Sequence, residues 1–171
     1  MKRVSCFFRT FLILIGLGVA LRGTAGAQGV GLDLGSPGPA AAVVTLDWKA
    51  ANLSSYVGKG PVLFEFWATW CENCRELMPT MKAVEEKYSK QIKFVAVAVS
   101  VNQTPERVKA FLEKYPMAMD VFFDRDGHAT DVYDAPATSY IVVLDKAGKV
   151  VYTGVGGKQN VEAAIKKALT P

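Results

Sequence analysis

The 171 residues include 20 lysines and arginines against 16 acidic residues, and half of all side chains are hydrophobic. That is enough chain for one domain with extensions, and enough apolar surface for a core. The basic excess lies wholly in the first 27 residues, which hold Lys2, Arg3, Arg9 and Arg22 and no acid, so the charges balance beyond them and the basic pI argues for no nucleic-acid partner.

Taken in order, the chain opens with these basic residues and an apolar run from Phe11 to Leu21, followed by the small-residue pattern Ala25-Gly26-Ala27. This is the arrangement of a secretory signal peptide over residues 1–27, cut after Ala27. The apolar run is short for a transmembrane span, and an uncleaved anchor is the alternative. Of the three cysteines, Cys6 leaves with this segment and Cys71 and Cys74 stay. One close pair in a secreted chain is not a disulfide framework, which points to chemistry instead.

Residues 28–42 are rich in glycine, proline and alanine and read as a flexible leader. The folded domain is expected over residues 43–171. Val43 to Leu46 is a candidate strand, followed by a turn and a short helical piece near Ser54 to Val57. Trp48 reads as a packing residue. Gly58-Lys59-Gly60-Pro61 breaks the chain, and Val62 to Trp67 is a dense apolar run, read as a buried strand. After Ala68-Thr69-Trp70 comes Cys71-Glu72-Asn73-Cys74. From Arg75 to Tyr88 the apolar residues recur at helical spacing. Two cysteines, three apart, therefore sit where a buried strand hands over to a helix.

The first turn of a helix has amide groups without internal partners, and the macrodipole adds partial positive charge. A thiolate at Cys71 gains from both, so its pKa is expected below the ~8.5 of a free cysteine, toward ~7 or lower. Thiolates are the nucleophiles of thiol–disulfide exchange. Cys71 is assigned as the attacking thiol. Cys74, one turn on, is the resolving thiol.

The run Glu65-Phe66-Trp67-Ala68-Thr69-Trp70-Cys71-Glu72-Asn73-Cys74, with Pro79 five residues later, resembles the active site of thioredoxin-fold oxidoreductases, in particular the secreted TlpA/ResA-like branch. The likeness extends more loosely over Val43 to Leu169. It implies an α/β thioredoxin fold: three layers, α/β/α, around a mixed sheet of about five strands. It implies that Glu65 is a buried acid behind the cysteines, able to exchange a proton with Cys74; an acid on the strand's polar face is the alternative. It implies that Pro79 kinks the helix. No cofactor and no metal follow from it. The implied partners are protein disulfide substrates, apocytochromes c among them, and a membrane thiol reductase as electron donor, in the periplasm or cell envelope and without stable membrane insertion after signal cleavage.

Further along, Ile92 to Val99 is a second central strand. Thr104-Pro105-Glu106 starts a helix that ends near Tyr115-Pro116. Val121 to Phe123 is a short apolar run, and Thr130 to Tyr133 one helical turn. His128, the single histidine, reads as solvated surface. Tyr140 to Leu144 and Lys149 to Val155 form an antiparallel hairpin. Asn160 caps a last amphipathic helix. The resembled family has a cis-proline facing the cysteines; aligned on Thr138 and Asp145, that position holds Ser139, with Pro136 as the other candidate.

The substrate-binding candidates are Trp70, Glu72, Asn73, Thr138 and Ser139. With no histidine between the cysteines, the thiolate is less stabilised and the pair more reducing. The leading reading is a disulfide reductant. A disulfide-forming oxidant and a non-enzymatic protein- or metal-binding module are the rivals.

Overall fold

The computed structural model describes residues 30–170. The signal-peptide reading of residues 1–27 lies outside them. Among the described residues no helix is long and apolar enough to cross a membrane.

Seven strands form one sheet in the order β2-β1-β5-β4-β3-β6-β7. They are β1 (Ala42–Thr45), β2 (Ala50–Asn52), β3 (Val62–Trp67), β4 (Lys93–Val99), β5 (Asp120–Asp124), β6 (Tyr140–Leu144) and β7 (Val150–Val155). The helices are α1 (Glu72–Tyr88), α2 (Pro105–Lys114), α3 (His128–Val132) and α4 (Val161–Leu169). β3 runs parallel to β4 and antiparallel to β6, so the sheet is mixed, as the family resemblance implies. The expected five strands become seven. The additions are β2, a three-residue strand paired with β1, and β5, which pairs parallel with β4 and antiparallel with β1.

Every residue of β3 is buried, because helices cover both faces of the sheet. Strand alternation sends Phe64 and Phe66 into a cluster that includes Val108 of α2 and Ala129 of α3. Leu63 joins the opposite cluster, built from Leu77, Met81 and Val84 of α1 and Val161 and Ile165 of α4. Glu65, two residues from Leu63, shares that second face. α1 runs on through Pro79, which lies inside it. Trp48 is only partly a packing residue: it meets Phe123 edge-on, with ring centroids 6.1 Å apart, but keeps half its surface in solvent. Exposed His128 accepts a hydrogen bond at Nδ1 from the Ala42 amide, 3.1 Å away.

Composition suggests a flexible leader over residues 28–42, yet from Leu32 to Gly38 the backbone bonds to the β6–β7 hairpin. Gly35 N–H donates to the Val150 carbonyl (2.7 Å), Val150 N–H to Ser36 (2.9 Å), and Gly38 N–H to Gly148 (2.8 Å). Leu32 N–H donates to the Tyr140 hydroxyl at 3.0 Å. The glycines that looked like slack allow close approach, since a Cβ on Gly38 would overlap Leu144.

Candidate active site

β3 delivers the chain to the carboxyl end of the sheet, where the sites of α/β proteins gather. Ala68 to Trp70 turn it, and Cys71 becomes the N-cap of α1. Its Sγ accepts a hydrogen bond from the Cys74 amide at 3.1 Å. The sulfur thus occupies the place that a serine or aspartate oxygen takes at an ordinary helix start. Cys71 and Cys74 are joined as a disulfide, with Cα atoms 5.3 Å apart.

Neither cysteine is open to water in the disulfide: Cys71 keeps 4% of its surface exposed and Cys74 3%. Both belong to the apolar cluster that holds Trp67 and Ala68. The disulfide holds both sulfurs against that cluster, and Trp70 at the rim stays 40% exposed.

Glu65 lies mid-strand, opposite Ala96 of β4 and Ile141 of β6. It is 3% exposed, so it is not on a polar face. Burial alone raises its carboxyl to about 7. A carboxyl there exchanges protons near neutral pH.

The remaining candidates separate. Glu72 and Asn73 are exposed on the first turn of α1. Thr138 is half-buried and lines, with Trp70, Val101, Asp131 and Pro136, an open groove at the same end of the sheet. Ser139 is fully buried, and this takes it off any docking surface. Its hydroxyl donates to the Gly156 carbonyl (3.1 Å), and its own carbonyl accepts from Gly156 N–H and the Gln159 amide. It has a left-handed φ of 62°, and among the described residues no peptide bond is cis, so neither Ser139 nor Pro136 provides a cis-proline here.

Residues 33–169 match the Redoxin family. The chain belongs to that family. This Redoxin member is 30% identical to the thiol-disulfide oxidoreductase ResA of Bacillus cereus over the whole of both chains. It is also 30% identical to ResA of Bacillus subtilis, covering 91% of this chain and 87% of that one. Among solved structures it resembles a provisionally assigned thiol:disulfide interchange protein DsbE from Chlorobium tepidum, with 30% identity and a TM-score of 0.71 over 81% of this chain and 99% of the other. These likenesses, with a cysteine pair at disulfide distance, make the Redoxin chain a thiol–disulfide oxidoreductase.

Sequence reading missed Gln103. Its position in the loop after β4, at the same end of the sheet as Cys71, was the available signal. Its side chain is buried; Oε1 accepts the Thr69 amide at 2.9 Å, and Nε2 donates to the Val99 carbonyl. Trp70 Nε1 donates to the Val101 carbonyl at 2.8 Å. The β4–α2 loop therefore clamps the turn that leads into Cys71. Gln103→Ala leaves the buried Thr69 amide unpaired, a cost of about 1–3 kcal/mol. If the clamp positions the redox turn, that cost falls unequally on the two redox states, and the reduction potential moves by about 30 mV, the equivalent of about 1.4 kcal/mol. Gln103→Glu, which keeps the acceptor, restores part of the shift. Equilibration with glutathione buffers reads the potential; a variant destabilised equally in both states, with its potential unmoved, shows a structural role only.

Proposed function

We propose that this oxidoreductase works outside the cytoplasm as a reductant of protein disulfides. Cys71 is the attacking thiol: its thiolate bonds to one sulfur of the target disulfide, and the other target sulfur leaves as a thiolate. Cys74 then gives up its proton to Glu65, attacks Cys71 Sγ, and frees the first target sulfur. The target ends as a dithiol and the enzyme as the Cys71–Cys74 disulfide, two electrons having passed between them.

The observation that carries this reading is Cys71 Sγ at the α1 N-terminus, accepting the Cys74 amide. Partial positive charge and an aligned donor favour the thiolate there. The direction of electron flow rests on Glu72 and Asn73, which place no cation between the cysteines. Trp70, Glu72, Asn73 and Thr138 are proposed to meet the target. The family likeness supports a membrane thiol reductase as electron donor, and extracytoplasmic targets that include apocytochromes c. The apolar run and small-residue pattern of residues 1–27 support export to the periplasm or cell envelope.

The deciding measurement is the reduction potential of the purified oxidised chain, with insulin reduction beside it. A value near that of thioredoxin, about −270 mV, together with insulin turnover, is expected. A value near about −120 mV, typical of strong oxidants, would make the protein a disulfide donor instead.

A further inference from the structure

A second site lies on the α1/α4 side of the sheet. There α1 and the segment before β5 leave a cavity of about 600 Å³ between them, and no cysteine lines it. That volume is within the range of small-molecule sites, roughly 300–1,000 Å³. Apart from Met1, the chain has four methionines, and all four line this cavity: Met78 and Met81 from α1, Met117 and Met119 from the facing segment. Thioether side chains are flexible and polarisable, and they form walls that adapt to apolar ligands of different shape.

Glu65 also lines the cavity. Its carboxyl is buried, and burial is the only influence on it, with no hydrogen bond or counter-charge offsetting the desolvation. An unpaired carboxyl in such a place is costly unless something that enters the cavity satisfies it. The other charges around the cavity are Glu85, Glu86 and Lys82, all from α1. Glu85 is itself buried, which pushes its carboxyl up, partly offset by the Ala118 backbone of the facing segment. Residues 116–119 bring no titratable group, and the strand neighbours of Glu65, Ala96 and Ile141, bring none. Three carboxyls against one ammonium favour a positively charged guest.

We propose that this cavity binds a small organic cation, an apolar chain or ring carrying one basic nitrogen that pairs with Glu65. Size, walls and floor each specify one part of that guest: its bulk, its apolar body and its charged head. The site is separate from the groove beside Trp70, and Glu65 is the one residue it shares with the redox chemistry. A bound ammonium would hold Glu65 ionised and make it a weaker base for the Cys74 proton; this consequence rests on the proton role proposed for Glu65, whereas the binding itself does not.

The test is isothermal titration of the oxidised protein at pH 8 with n-octylamine, n-octanol and octanoate. Octylamine is expected to bind one-to-one, about tenfold or more tighter than octanol, and octanoate weakest of the three. Affinity for the amine should drop about tenfold at pH 6, as Glu65 takes up its proton. Glu65→Gln should erase the preference for amine over alcohol. Met117→Arg, which leaves Glu65 in place but puts a guanidinium in the cavity, should abolish amine binding. No saturable binding of the amine, equal affinity for amine and alcohol, or a preference that survives Glu65→Gln overturns the proposal. Insulin reduction by the same preparation is followed in parallel: failure of amine binding with reduction intact removes this site alone, and loss of reduction with binding intact removes the redox reading alone.

Discussion

Cys74→Ala is expected to lower steady-state disulfide reduction by about a thousandfold or more while leaving the first attack intact. Cys71 then forms a mixed disulfide with the target, and no second thiol releases it. The adduct should accumulate, survive non-reducing electrophoresis, and yield its partners to mass spectrometry. Cys71→Ala should form no adduct at all. The difference between the two variants tests the order of attack, because the sulfurs are similarly buried and only Cys71 occupies the helix cap. Adducts that form through Cys74 in Cys71→Ala, and not through Cys71 in Cys74→Ala, would reverse the assignment. The 4% exposure of Cys71 adds a kinetic expectation: the intact disulfide should react slowly with bulky reductants and faster with small ones.

Glu65→Gln should change how stability depends on pH. In the unfolded chain Glu65 titrates near its ordinary value of 4.5, and in the fold at about 7. Between these values the unfolded state has released a proton that the folded state keeps. The stability it contributes is therefore full below 4.5, falls as pH rises through the window, and is level above about 7. The shift corresponds to about 3 kcal/mol for this buried group. Glutamine cannot ionise, so the variant should lose that slope and be the more stable protein at pH 8. Urea midpoints of the oxidised form between pH 4 and pH 8 measure this, and parallel curves for the two proteins would contradict it. Activity should move the other way, with turnover near neutral pH falling by roughly a hundredfold as the proton acceptor is lost.

The central unit was readable because three local signals agree there. An apolar strand, a helical repeat and the pair Cys71/Cys74 between them leave little freedom for the chain. Thr104 and Asn160 were readable as caps, and both accept the amide three residues on. The missed strands lacked such signals. β2 is Ala-Ala-Asn, with no side chain that favours a strand, and it exists because β1 offers it a partner. β5 showed only three apolar residues, and its pairing with β4 and β1 is non-local. Ser139 illustrates the reverse error. Spacing from Asp145 put it in a family position, but its bonds to Gly156 and Gln159, seventeen and twenty residues away, turn it inward. Gln103 offered only its place after β4, because a buried glutamine that bonds two backbone groups leaves no pattern in its neighbours.

The glycine-rich segment before β1 decides how much polypeptide is needed for an intact fold. Trimming to Val43, the boundary that composition suggests, would strip the partners of the Val150 amide and carbonyl and uncover Leu144. The Tyr140 hydroxyl would lose the one backbone group it accepts. Tyr140 opens the strand that lies against β3 opposite Phe66, so the damage would start one strand away from the sulfurs. A chain cut at Val43 is therefore expected to be less stable than one that keeps Gly31 to Ala42, which urea midpoints of the two would measure.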